Sequence, residues 1–122
     1  MTTPAKYDTA TPYLASYVIL RNGNKIAMVL RSNTNWMDGH WGLLAGKVEK
    51  RETFTAAALR EAKEEGGVTI APQDLQLKLI AQRHSDDSDW IDALFEVTEW
   101  EGEAHNAEPH MHSELKWFDI DT

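Results

Sequence analysis

The segment from Gly46 to Val68, GKVEKRETFTAAALREAKEEGGV, constrains this chain more than any other part of it. It leaves a turn at Ala45-Gly46 and becomes a run of helix formers from Thr53 to about Glu65. Gly66-Gly67 then ends the helix, because glycine accepts the left-handed conformation that closes a C-terminus. Glu61, Glu64 and Glu65 stand at i, i+3 and i+4, so their carboxylates share one helix face. Like charges at that spacing cost an isolated helix about 0.2–0.5 kcal/mol per pair. One reading is a solvated face, with Arg60 and Lys63 as nearby partners. The other is a divalent cation that turns repulsion into coordination, Mg²⁺ being matched to hard oxygen ligands.

Charge bears on that choice. The formal net charge is −8, from 20 acidic and 12 basic residues in 122. A field of that sign repels polyanions, which argues against nucleic-acid polymers and anionic membranes as partners. Phosphate chemistry stays open to an acidic protein where bound cations reverse the local sign. The chain has no cysteine, so a disulfide framework and a thiolate zinc site are both excluded, in keeping with a cytoplasmic setting. No apolar run approaches the roughly 20 residues that span a bilayer. MTTPAKYDTATPY lacks an apolar signal core, so residues 1–12 read as a flexible leader to one domain covering residues 1–122.

Strand patterns flank the helix. Tyr13–Leu20 and Lys25–Arg31 are β-rich runs joined through Asn22-Gly23-Asn24, which predicts a hairpin. Ser32–His40 is polar and loop-like, and Trp41–Leu44 is a short apolar strand. Leu75–Gln82 and Trp90–Val97 are further strands across the acidic loop His84–Asp89. A polar loop, Glu99–Glu114, precedes a last strand at Leu115–Phe118. Several strands around one well-defined helix predict a mixed α/β fold.

The spacing across Gly46–Val68 resembles the Nudix box, G-x5-E-x7-R-E-U-x-E-E-x-G-U with U aliphatic. Gly46, Glu52, Arg60, Glu61, Glu64, Glu65, Gly67 and Val68 all fall in register. A chance match at the seven fixed positions has a probability on the order of one in a million. Ala62 is smaller than the usual aliphatic residue, and Leu44-Ala45-Gly46 replaces the common Pro-Gly-Gly, so loop geometry is where departures are expected. Trp100-Glu101-Gly102-Glu103 followed by Glu108 is similar to the corresponding loop of the MutT-like branch.

The resemblance implies a Nudix-type α/β/α sandwich with a mixed sheet, the box forming a strand-loop-helix unit. It implies Mg²⁺, with Mn²⁺ as substitute, held by Glu61, Glu64, Glu65 and the Ala45 backbone carbonyl. Glu61, Glu64 and Glu108 would be catalytic, Glu108 as a fourth carboxylate serving as ligand or base. Gly46, Glu52 and Arg60 would give structural support, with Arg60 pairing with Glu52. The implied reaction cleaves a nucleoside triphosphate to a monophosphate and pyrophosphate, in a monomer or homodimer. ADP-ribose hydrolases of the family often carry a proline roughly 16 residues past the box, where this chain has His84. Hydrolysis of ADP-ribose or a nucleotide sugar is the alternative, and a catalytically silent nucleotide-binding domain is a third.

Trp36 and Trp90 lie near loops where a nucleotide base could stack, although tryptophans more often pack a core or its rim. His105, His110 and His112 cluster around Glu108, and a solvated loop is the simpler reading of them. Asp86, Asp87 and Asp89 read as a solvated acidic turn.

Overall fold

The structure, a computed structural model, describes residues 8–35 and 37–121. Residues 8–12 have no regular structure, and the rest of the proposed leader lies outside the described residues. Strand β1, Tyr13–Asn22, organises the fold. A two-residue turn with Gly23 at φ 61° leads into β2, Lys25–Arg31, and glycine carries that dihedral without steric cost. The expected strand Trp41–Leu44 is in fact two, β3 (Trp41–Gly42) and β4 (Leu44–Lys47). They serve different partners: β3 pairs with β2, whereas β4 pairs with β1.

Helix α1, Phe54–Gly66, follows. Thr53 caps it, its hydroxyl accepting from the Ala56 N–H at 3.0 Å. Gly67, at φ 69°, closes the other end, donating to the Lys63 carbonyl while Val68 donates to Ala62. Strands β5 (Gln76–His84) and β6 (Asp89–Val97) form a hairpin, and β7 spans His112–Asp119. The last strand thus starts at His112, inside the segment expected to be loop, because residues 112–114 pair with β2 from Arg31 to Leu30.

The seven strands form a mixed sheet: β1 and β6 run parallel and every other pair is antiparallel. β1 joins two halves, β4–β1–β6–β5 on one side and β3–β2–β7 on the other. Alternate residues of β1 and β6, including Val18, Leu20, Ala93, Phe95 and Val97, meet Ala58 and Ala62 in the core. The small Ala62 is fully buried there, and a Cβ added at Gly66 would meet Leu44 at 2.6 Å. Small residues thus let helix and sheet approach closely. Among the described residues, α1 is the one long helical layer on this sheet.

Candidate active site

The face of α1 turned toward the protein carries Ala57, Ala58, Glu61, Ala62, Glu65 and Gly66. Two of the three glutamates are therefore buried, Glu61 at 8% and Glu65 at 7% exposure, while the Glu64 side chain is 50% exposed. Burial disfavours the charged form, pushing Glu61 up to about 7 and Glu65 up to about 8. The solvated-face reading fails for this pair. Glu65 accepts from the Ala45 N–H at 2.6 Å, so the turn before the helix holds the carboxylate at its end.

Arg60 ties the unit together. Its Nε donates to Glu52 at 2.9 Å and its Nη2 at 3.0 Å, a two-point contact, while Nη2 also donates to the Lys47 carbonyl at 3.0 Å. Nη1 reaches Glu61 at 2.6 Å and Glu64 at 3.3 Å. The Arg60 bonds hold the Glu52 carboxyl down at about 2. Gly46 lies directly against Glu61: a Cβ built there would overlap its carboxylate.

Glu108 arrives from the other side, on a loop held by the end of α1. His105 donates its backbone N–H to the Gly66 carbonyl at 3.0 Å, and Ala107 donates to Glu65 at 3.1 Å. Those bonds satisfy carbonyls that a helix end leaves unpaired. Thr69 and Glu101 exchange two further backbone bonds, at 3.0 and 2.8 Å. The Asn106 side chain accepts from the Glu108 N–H at 3.2 Å and donates to the His112 carbonyl at 2.7 Å. Glu108 thus sits on a braced loop. Within it the His112 N–H bonds the Glu108 carbonyl at 3.0 Å, a single turn that sets the two side chains together.

His112 corrects the reading of the histidine cluster. His105 and His110 are exposed, but His112 is 1% exposed and packed beside Glu65. Burial, then Arg31 and His110, lowers its pKa. One ligand atom each from Glu65, Glu108 and His112 lies within 4.8 Å of the other two.

These residues line one cleft of about 580 Å³, a size that suits a small-molecule ligand. Its walls are α1, with Glu61, Glu64 and Glu65; β4, with Ala45, Gly46 and Lys47; and the Glu108–His112 turn. Trp90 lines it as well, with Tyr17 and Arg83, while Trp36 lies outside the described residues. The Arg83 guanidinium stands 4.5 Å from the Trp90 ring centroid and pairs with buried Asp92 at 2.6 Å. Its Nη2 is 3.4 Å from the Tyr17 hydroxyl. Ser85 and Ser88 of the hairpin turn also reach the cleft, whereas Asp89 pairs with His84 at 2.5 Å. Of the other tryptophans, Trp100 stacks on Trp117 at 6.2 Å against the core, and Trp41 meets Phe118 edge-on at 4.9 Å.

Sequence reasoning missed Arg83, Asp92 and Tyr17. The available signal was Asp92, an acid inside the apolar run Trp90–Val97, where an unpaired charge is costly. Its partner lies on the neighbouring strand and was not identifiable from that run.

Comparison with known proteins bears on the family and the fold. A family model described as the NUDIX domain matches residues 11–122. An 8-oxo-dGTP diphosphatase of Proteus vulgaris is 33% identical over 96 residues, covering 79% of this chain and 84% of that protein. The MutT NUDIX hydrolase from Burkholderia pseudomallei superposes with a TM-score of 0.82 at 25% identity, covering 91% of this chain and 85% of that one. The MutT protein from Methanosarcina mazei Go1 shares the fold, with a TM-score of 0.77 at 22% identity over 94% of this chain and 82% of that one. A family match over nearly the whole length, on a chain whose signature residues fold into one strand-turn-helix unit, places this protein in the Nudix family as a MutT-like hydrolase of phosphoric anhydrides.

Proposed function

We propose that the chain is a cytoplasmic Mg²⁺-dependent pyrophosphohydrolase, Mn²⁺ substituting, that converts a free nucleoside triphosphate to its monophosphate and pyrophosphate. The observation that carries this is the convergence of Glu61, Glu64, Glu65 and Glu108 on one cleft of nucleotide size. The activity named for the Proteus vulgaris relative supports a triphosphate over ADP-ribose. The net charge of −8 supports a free nucleotide over a polymer.

The donor set fits a hard divalent cation: carboxylates of Glu61, Glu64 and Glu65, with the Ala45 carbonyl on the adjoining turn. A cation held there would supply charge to neutralise phosphate oxygens and to lower the pKa of an attacking water. Arg60 and Gly46 fix where Glu61 points, Arg60 by its 2.6 Å contact and Gly46 by leaving room. Glu64, half-exposed and held more loosely at 3.3 Å, takes the proton that the water loses. Glu108 supplies a fourth carboxylate from the opposite wall. The base enters beside Arg83, whose plane is backed by the Trp90 indole and oriented by Asp92.

Product analysis by ³¹P NMR over a panel of triphosphates with Mg²⁺ tests the reading. Monophosphate and pyrophosphate are expected; release of inorganic phosphate as first product would overturn it. Two variants follow from the geometry. Trp90→Ala is expected to raise KM about tenfold with a smaller change in kcat, since backing a stacked base is worth on the order of 1–3 kcal/mol. Gly46→Ala forces Glu61 off its position and is expected to lower kcat on the order of 10²-fold, the loss typical of an ångström-scale displacement.

A further inference from the structure

His112 opens β7 and is more deeply buried than either glutamate of the helix beside it. A histidine kept in a core as a strut commits its ring nitrogens to hydrogen bonds. This one does not. Its Nδ1 has no hydrogen-bond partner, and its Nε2 faces the Glu65 carboxylate at 3.4 Å, long for a hydrogen bond. The imidazole nevertheless faces Glu65 and stands close to Glu108, with one ligand atom from each of the three residues inside 4.8 Å. Three donor atoms this close would surround one cation, with bonds of about 2.1 Å, after a small closure.

The local fold explains the aim. The backbone turn from Glu108 to His112 places that carboxylate and imidazole side by side. The bond from Ala107 to the Glu65 carbonyl docks the same loop on α1. Pairing of residue 112 with Arg31 fixes where the strand begins. Three separate elements therefore hold the three donors.

We infer that His112 is a nitrogen ligand to a divalent cation held jointly with Glu65 and Glu108, making this part of the site a mixed carboxylate–imidazole centre. The inference rests on the metal-dependent reading proposed above and deepens it. An imidazole donor favours transition-metal ions over Mg²⁺, which binds through oxygen and gives up its water reluctantly. The site is therefore expected to bind Mn²⁺ more tightly than Mg²⁺, and Co²⁺ more tightly still.

Mn²⁺ alone, added to the whole chain, is the probe, read by electron spin-echo envelope modulation without any turnover. The expected result is bound Mn²⁺ with ¹⁴N modulation from a directly coordinated imidazole, changing to the ¹⁵N pattern in protein labelled at histidine. His112→Gln should abolish the modulation and weaken Mn²⁺ at least tenfold while altering Mg²⁺ affinity less. If that variant does not fold, His105→Gln and His110→Gln, at exposed positions, serve in its place. Both should keep the modulation, and its loss in either would reassign the ligand and overturn the inference. Bound Mn²⁺ without nitrogen modulation would overturn it while leaving the carboxylate site standing. Failure to bind Mn²⁺ at all would overturn the metal-dependent reading itself.

Discussion

Replacing Glu64 with glutamine is expected to lower turnover by roughly 10²-fold or more while leaving the melting temperature nearly unchanged. Its side chain is half exposed, and its contact with Arg60 is the longest that this arginine makes within the signature helix. Glutamine keeps the size and one acceptor oxygen but removes the charge that both proposed roles, cation ligand and proton acceptor, require. Glu65→Gln should lose activity on a similar scale for a partly different reason. Its amide oxygen still accepts from the Ala45 N–H, so the turn stays docked, and the buried charge is what disappears. Melting curves with EDTA and with Mg²⁺ complete the test: the cation should stabilise the wild type and have little effect on Glu65→Gln. If either variant turns over at the wild-type rate, these carboxylates do not hold the metal.

The second large effect is expected from Arg60→Ala. This one side chain bonds Glu52 twice, the Lys47 carbonyl, Glu61 and Glu64. Its loss strands a partly buried Glu52 and frees the loop before the helix, at a cost of about 2–3 kcal/mol. For a chain of this size that corresponds to a fall of about 10 °C in melting temperature. The pH dependence has a definite sign. Glu52 is held at about 2 in the folded protein against an ordinary 4.5, so the folded state binds this proton less readily than the unfolded chain. The pairing therefore contributes its full stability above about pH 4.5 and loses it as pH falls toward 2. Wild type and variant should differ most at neutral pH and converge in acid. Arg60→Lys should recover little, because an ammonium cannot reproduce the two-point contact. An unchanged melting temperature would move Arg60 from brace to substrate contact.

Much of this was readable from one segment. The helix and both of its ends follow from local chemistry: a threonine hydroxyl for the first turn, alanines and glutamates for the body, a left-handed glycine at the stop. The spacing of Arg60, Glu61, Glu64 and Glu65 sets which side chains share a face, since 3.6 residues make a turn whatever surrounds it. The strands announced themselves by composition, and the Asn-Gly turn by its dihedral requirement. Such features depend on neighbours in the chain, so the chain alone determined them.

Tertiary structure decided what those elements face. A helical pattern of two buried glutamates cannot be told from a solvated stripe until the sheet is packed against it, because burial depends on residues far away in sequence. The split of Trp41–Leu44 arose because its two ends pair with different strands. Arg83 and Asp92 are partners only because β5 and β6 lie in register. His112 was the largest departure. Its sequence surroundings, Pro109-His110-Met111-His112-Ser113, carry no strand-like apolar run and read as loop. A backbone turn onto Glu108 and pairing with β2 instead carry that imidazole into the interior, beside a carboxylate 47 positions earlier in the chain. Local composition sets the cost of burying a polar group; only long-range packing decides which groups stand beside it.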